Sequence, residues 1–195
     1  VLFRLVQRAV PEVRDHAALA QAEALLALEQ PEQACRYFRT AADSPNRDLA
    51  ALGRVGKVTC LLRSGDRRGE VAFRLLVKRY PSLPQAPDLR YELGRAREGW
   101  KNRWGALVQY RSVDLMYPGS AAAVKARKRM KELALKGFRP RAYSWKERVQ
   151  RAERLLRTGP LALMRQAVAE LLEARGLTAE LRARAHLMAA SMARK

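Results

Sequence analysis

The sequence predicts an all-α solenoid in which amphipathic helices pair and the pairs stack side by side. Three observations predict it. A phrase built on Phe, Arg, Leu and a closing Pro recurs, prolines punctuate the chain at repeat-like intervals, and a small–large–apolar motif sits at helical spacing inside each interval. Composition agrees. The 195 residues are 48% hydrophobic and 30% charged with few aromatics, which suits stacked helices and excludes a disordered or collagen-like chain. No run approaches the roughly 18 apolar residues that would span a bilayer.

The recurring phrase is FRLVQRAVP at residues 3–11 and FRLLVKRYP at residues 73–81, with further versions closing at Tyr117-Pro118 and, more weakly, at Ser44-Pro45. Pro11, Pro45, Pro81 and Pro118 therefore stand 34 to 37 residues apart. Proline cannot continue a helix and disfavours helical geometry in the residue before it, so each marks the end of a unit. Inside the units, Ala34, Phe38 and Ala41 form one set, Gly69, Phe73 and Leu76 a second, and Ala106, Tyr110 and Val113 a third. Spacing of four then three places each set on one helical face. The small residue lets two helices approach, and the large one fills the space toward the next unit.

A helix over about 1–10 is expected first, then pairs at 14–29 and 31–43, 48–64 and 67–80, and 86–99 and 103–116. A basic helix follows from about 120 to 136. GFRPRAY, residues 137–143, interrupts it with Gly and Pro and separates residues 1–136 from a further helical hairpin over 144–195. Ser144 with Glu147 predicts a capping box, and Thr158-Gly159 the end of that helix. Pro160 is expected in the first turn of the next helix, which runs to Arg175-Gly176. Thr178 with Glu180 opens a last helix. The first and last helices lack their partners, so both ends are expected to fall within repeats.

This pattern resembles the tetratricopeptide repeat, whose second helix carries a small–aromatic–small set before a proline. In the best unit the first helix supplies Leu93-Gly94, and Ala106, Tyr110, Val113 and Pro118 fall at the family spacing. Arg90 replaces the usual first-helix aromatic, Arg97 the usual tyrosine, and Gly56-Lys57 stands where Leu-Gly is expected. The resemblance implies a right-handed superhelix of antiparallel helix pairs. YPGSAAAVKARKRMKEL, residues 117–133, is similar to the Tyr-Pro-x-Ser repeats of bacterial envelope proteins, such as outer-membrane assembly lipoproteins and Tol-Pal-associated factors. From about residue 80 onward the chain resembles the amino-terminal superhelical region of soluble lytic murein transglycosylases. That resemblance implies a periplasmic or envelope location, a partner among cell-wall polymers or proteins, and a catalytic domain elsewhere in a parent enzyme. The Glu-Ser and Gly-Leu-Met-Gln signatures of that catalytic part do not occur here, so no catalytic residue is carried over.

The chain is expected to have no chemistry of its own. Glu170 and Glu173 read as solvated helix-surface carboxylates, and His16 and His186 lack acidic or nucleophilic neighbours in sequence. Gly53 and Gly56 lie at helical spacing and follow no strand, so they read as sites of close helix packing and not as a phosphate loop. Cys35 and Cys60 are expected to be buried reduced thiols, with a single disulfide as the alternative. With only two cysteines and two distant histidines, neither a metal site nor a cofactor is expected.

The formal net charge is +20, with arginine outnumbering lysine about three to one. It peaks between Lys125 and Arg151, where eleven cations face only Glu132 and Glu147. Such a surface attracts polyanions in a salt-dependent way. An acidic protein or peptide segment, or an anionic envelope polymer such as peptidoglycan, is the expected partner; the alternative is a solvated basic surface with no selected partner. Nucleic acid is disfavoured, since no binding motif appears and the aromatics occupy repeat positions. A cytoplasmic regulatory repeat that engages nucleic acid remains the competing reading. In the tetratricopeptide register Arg54, Tyr91, Arg95, Lys125 and Arg129 are expected to line a groove, where guanidinium groups would hold carboxylates in bidentate fashion.

Overall fold

The computed structural model describes residues 13–193; the helix expected over 1–10 and its phrase at 3–11 lie outside them. Among the described residues there are ten α-helices and no strand. The chain packs as two units, Val1–Asn102 and Arg103–Lys195. Helices packed on near neighbours in sequence are compatible with a helical repeat fold.

The first unit holds α1 (Arg14–Ala27), α2 (Pro31–Ala42), α3 (Arg47–Arg63), α4 (Arg68–Arg79) and α5 (Ala86–Gly99). α1, α3 and α5 pack in succession, while α2 lies against α1 and α3, and α4 against α3 and α5. Local chemistry sets the ends. Pro31 opens α2, where its missing N–H costs nothing. The Asn46 side chain caps α3 by accepting from the N–H groups of Asp48 and Leu49 at 3.0 and 3.3 Å. α3 closes on Gly65 at φ +77°, with Gly65 N–H donating to Leu62 O and Asp66 N–H to Leu61 O, a pair of bonds that needs a left-handed residue. The Trp100 indole then donates to Gly65 O at 2.6 Å, tying the ends of α3 and α5 together.

Every member of the three predicted sets is buried. Phe38 packs with Ala22, Ala34 and Cys60; Phe73 and Leu76 pack with Val58, Leu62, Leu89 and Leu93. The substituted repeat positions are filled by different chemistry. The Arg90 guanidinium lies 5.3 Å from the centre of the Phe73 ring, and Arg97 pairs with Glu70 at 2.7 Å.

Gly53 and Gly56 are the close approach between α2 and α3. A Cβ on Gly53 would stand 2.3 Å from Ala42 N and 2.5 Å from Ala41 C, both backbone; one on Gly56 would overlap the Phe38 ring at 2.1 Å. Gly53→Ala is therefore expected to destabilise by about 2 kcal/mol net, since overpacking against backbone outweighs a helix-propensity gain of about 1 kcal/mol. Gly99→Ala, with nothing within 4 Å, is expected to be neutral or slightly stabilising. Urea midpoints of the two variants check the contrast, and equal shifts would remove the close-approach account.

Cys35 and Cys60 form a disulfide between α2 and α3, with Cα atoms 5.5 Å apart. This corrects the expected pair of reduced thiols. Residues on separate helices met because the same two glycines draw α2 and α3 together.

The second unit holds α6 (Arg103–Met116), α7 (Ala121–Leu135), α8 (Trp145–Thr158), α9 (Leu161–Leu172) and α10 (Ala179–Ala193). α6 packs on α7 and α8, and α8, α9 and α10 pack on one another around Val149, Leu155, Met164, Val168, Leu171 and Met188. Ser144 and Glu147 form the predicted capping box, and Gly159 ends α8. Pro160 is the residue before α9 and not its first turn, because its ψ of 136° is extended. α9 ends at Leu172, three residues before Arg175, followed by a short connection in which Leu177 is buried in the core. The 137–143 segment lies inside this unit. Gly137 at φ +86° terminates α7, with Gly137 N–H bonded to Ala134 O and Phe138 N–H to Leu133 O.

Candidate functional site

In the first unit, α3 and α4 leave a groove of about 450 Å³ between them. Arg54 and Lys57 project from α3 at a spacing of three, and Leu75 and Arg79 from α4 at a spacing of four, so each pair shares a face. The floor is carbon: Val58, Ala72, Leu76 and Leu75, the last 65% exposed. Arg54 Nη1 donates to Tyr80 Oη at 2.9 Å, and the Arg79 guanidinium lies 5.9 Å from the Tyr80 ring centre. Hydrogen bonding from Arg79, then the nearby Arg54 charge, draws the Tyr80 phenol below its ordinary pKa. Arg54, Lys57 and Arg79 form no ion pair among the described residues, and no carboxylate lines the groove.

The other residues expected to line a groove are not among those that line this cavity. Arg95 lines a different cavity of the first unit, beside Glu29, Arg63 and Glu92, where Arg63 and Glu92 pair at 2.8 Å. Tyr91 is half-buried on α5. Lys125 and Arg129 belong to α7 in the second unit; Lys125 is exposed and Arg129 pairs with Glu132. Arg54 is the predicted residue that the α3–α4 groove contains. Val58, one turn further along α3, is buried beneath it.

The second unit contains a charge network that the sequence did not single out. Asp114, 3% exposed, follows Val113 on α6. Its Oδ1 accepts from Arg127 at 2.6 Å and from Arg151 at 3.2 Å, and its Oδ2 from the Tyr143 hydroxyl at 2.9 Å. Three segments, α7, α8 and the connection between them, thus converge on one carboxylate of α6. Burial, then the Asp114 charge, pushes the Tyr143 phenol above its ordinary range and keeps it a donor. Beside it, Arg111 grips both oxygens of Glu147 at 2.8 Å and covers the Tyr143 ring with its guanidinium 4.1 Å from the centre. An acid four residues past a buried tyrosine, followed by an arginine-rich stretch, was the available signal. Charge counting between Lys125 and Arg151 missed it because Asp114 lies upstream of that window.

Burial alone would raise the Glu147 pKa. The Ser144 backbone N–H, the Arg111 guanidinium and the Ser144 hydroxyl outweigh it and bring it from 4.5 down to about 2. A depressed carboxylate contributes stability that is complete above the unfolded value and is lost as pH falls from 4.5 through about 2. The acid limb of the stability curve is expected to steepen there by up to one proton, about 1.4 kcal/mol per pH unit. Glu147→Gln should flatten that limb relative to the parent in pH-dependent urea unfolding. Parallel limbs would disprove the coupling.

His16 and His186 are exposed, as are Glu170 and Glu173. Among the described residues no group of His, Cys, Asp and Glu is arranged to hold a metal ion, and no helix is long and apolar enough to cross a membrane. Compared with known proteins, the chain matches no family model, no curated protein and no solved structure.

Proposed function

We propose that the chain is a non-catalytic helical-repeat scaffold that binds an acidic segment of a partner protein in the α3–α4 groove. The observation that carries this reading is the groove itself. Three cations that have no carboxylate partner among the described residues stand over a floor of valine, alanine and leucine carbon. An acidic peptide with one or two apolar side chains satisfies both halves of it: carboxylates on the guanidinium groups, hydrocarbon on Leu75 and Leu76. The architecture proposed is tetratricopeptide-like, a right-handed superhelix of antiparallel pairs. The 34–37-residue proline interval and the three buried sets support that reading.

An oxidising compartment, the bacterial periplasm or envelope, is proposed on the Cys35–Cys60 bond, because disulfides persist there and are rare in the cytosol. A parent lytic-transglycosylase-like enzyme, with this chain as its arm, fits that compartment.

Fluorescence anisotropy with a labelled peptide of alternating Glu and Leu tests the groove against its Gln–Leu counterpart. The acidic peptide is expected to bind at least tenfold tighter at low salt, and Arg54→Glu/Arg79→Glu to abolish the difference. Equal binding of both peptides, or tighter binding to peptidoglycan sacculi or oligonucleotides that ignores these substitutions, would reject this reading.

A further inference from the structure

The second unit has a cavity of about 320 Å³ between α6, α7 and the connection that follows α7. It lies at the lower end of the roughly 300–1,000 Å³ typical of small-molecule sites. Met130 and Ala134, four residues apart, present carbon from α7, and Pro140 and Ala142 do so from the opposite wall. The inner polar groups are already committed. Asp114 is held by Arg127, Arg151 and Tyr143, and Arg111 by Glu147, so these side chains offer the cavity mainly their stems and the Tyr143 ring.

Lys131 and Arg141 differ. Both line the cavity, both are exposed, and neither forms an ion pair among the described residues. The connection that carries Arg141 is anchored on both sides. Gly137 turns the chain at φ +86°, Arg111 Nη1 donates to Arg141 O, and the Tyr143 hydroxyl reaches Asp114. The wall is therefore built in place by the charge network. A carbon-lined pocket with two uncommitted cations at its edge has the polarity of an amphiphile: apolar inside, anion-attracting outside.

We propose that this cavity takes a single medium-length alkyl chain ending in a carboxylate, with the chain against Met130, Ala134, Pro140 and Ala142. Lys131 and Arg141 hold the carboxylate. Two cations suit one carboxylate, and a cavity of this volume suits one short chain and not a folded polymer or a two-chain lipid. The site is independent of the α3–α4 groove, and substitutions at Arg54 and Arg79 leave it intact.

Calorimetric titration of the full chain with decanoate, decanol and butyrate tests it. Decanoate is expected to bind about tenfold tighter than decanol, which lacks the charge, and butyrate, which lacks the chain, not to bind measurably. Lys131→Ala/Arg141→Ala, both at exposed positions, should erase the decanoate advantage and leave decanol binding unchanged. Lys131→Glu/Arg141→Glu should reverse it, so that decyltrimethylammonium binds better than decanoate. Ala134→Trp, judged only where its circular dichroism and melting match the parent, should exclude all the chain-bearing probes. Equal binding of decanoate and decanol, decanoate binding that survives the charge reversal, or no binding of either would overturn the proposal. If the acidic peptide still binds the α3–α4 groove in that event, the scaffold reading stands alone.

Discussion

Reducing the Cys35–Cys60 disulfide is expected to cost about 3.5 kcal/mol, the loop-closure value for a cross-link with a sequence separation of 25. The bond acts mainly on the unfolded chain, whose freedom it restricts, and it joins the two helices that the glycines already hold together. Cys60 is fully buried, within the cluster that contains Ala22, Ala34 and Phe38. Cys35→Ser adds a hydroxyl beside that cluster, so Cys35→Ala is the cleaner variant. Urea unfolding of the full chain with and without a reducing agent gives the difference, and Cys35→Ala/Cys60→Ala should unfold alike in both conditions. A parent whose unfolding ignored the reductant would leave the bond without a structural role and would remove the support it lends to an oxidising compartment.

Asp114→Ala is expected to destabilise by about 3 kcal/mol, even though a surface ion pair contributes little. Its carboxylate is 4% exposed, while Arg127 and Arg151 remain 27% and 20% exposed. Removing the acid therefore leaves two guanidinium groups partly desolvated without their counter-charge, and the Tyr143 hydroxyl with only the Arg111 carbonyl, 3.5 Å away, as acceptor. The open edges of both arginines let water recover part of the loss, which keeps the figure at the low end for a broken buried pair. Asp114→Asn keeps an acceptor for Tyr143 and should lose less. Tyr143→Phe alone should cost about 1 kcal/mol, and its effect should nearly vanish in the Asp114→Ala background, since both remove the same hydrogen bond. Additive effects, or a loss below about 0.5 kcal/mol for Asp114→Ala, would show that the network is decorative.

Much of the fold was legible in the sequence. The proline interval, the three small–large–apolar sets and the Ser144–Glu147 box each rest on local rules: which residues continue a helix, which face they share, and which side chain satisfies the first turn. Such rules act within about four residues, so they survive in a linear reading. Pro160 failed because the same fixed φ suits the residue before a helix and its first turn alike, and ψ, which distinguishes them, is set by packing.

The candidate sites were less legible for the same reason. Arg54 was identified through a repeat register, but its neighbours Arg79 and Tyr80 are the last residue of α4 and the one after it, and no spacing rule links α3 to α4. Arg54 and Arg95 share that register and line different cavities. Asp114 reads as one more polar residue on an amphipathic helix until α7, α8 and Tyr143 close over it.

By itself the sequence determined the all-helical class, the capping box that opens α8, the three buried sets and the surplus of positive charge. Tertiary structure alone decided which charges are spent and which are left over, and that Cys35 meets Cys60. Helix formation depends on neighbours along the chain, whereas charge pairing and disulfide formation depend on distances between segments far apart in it.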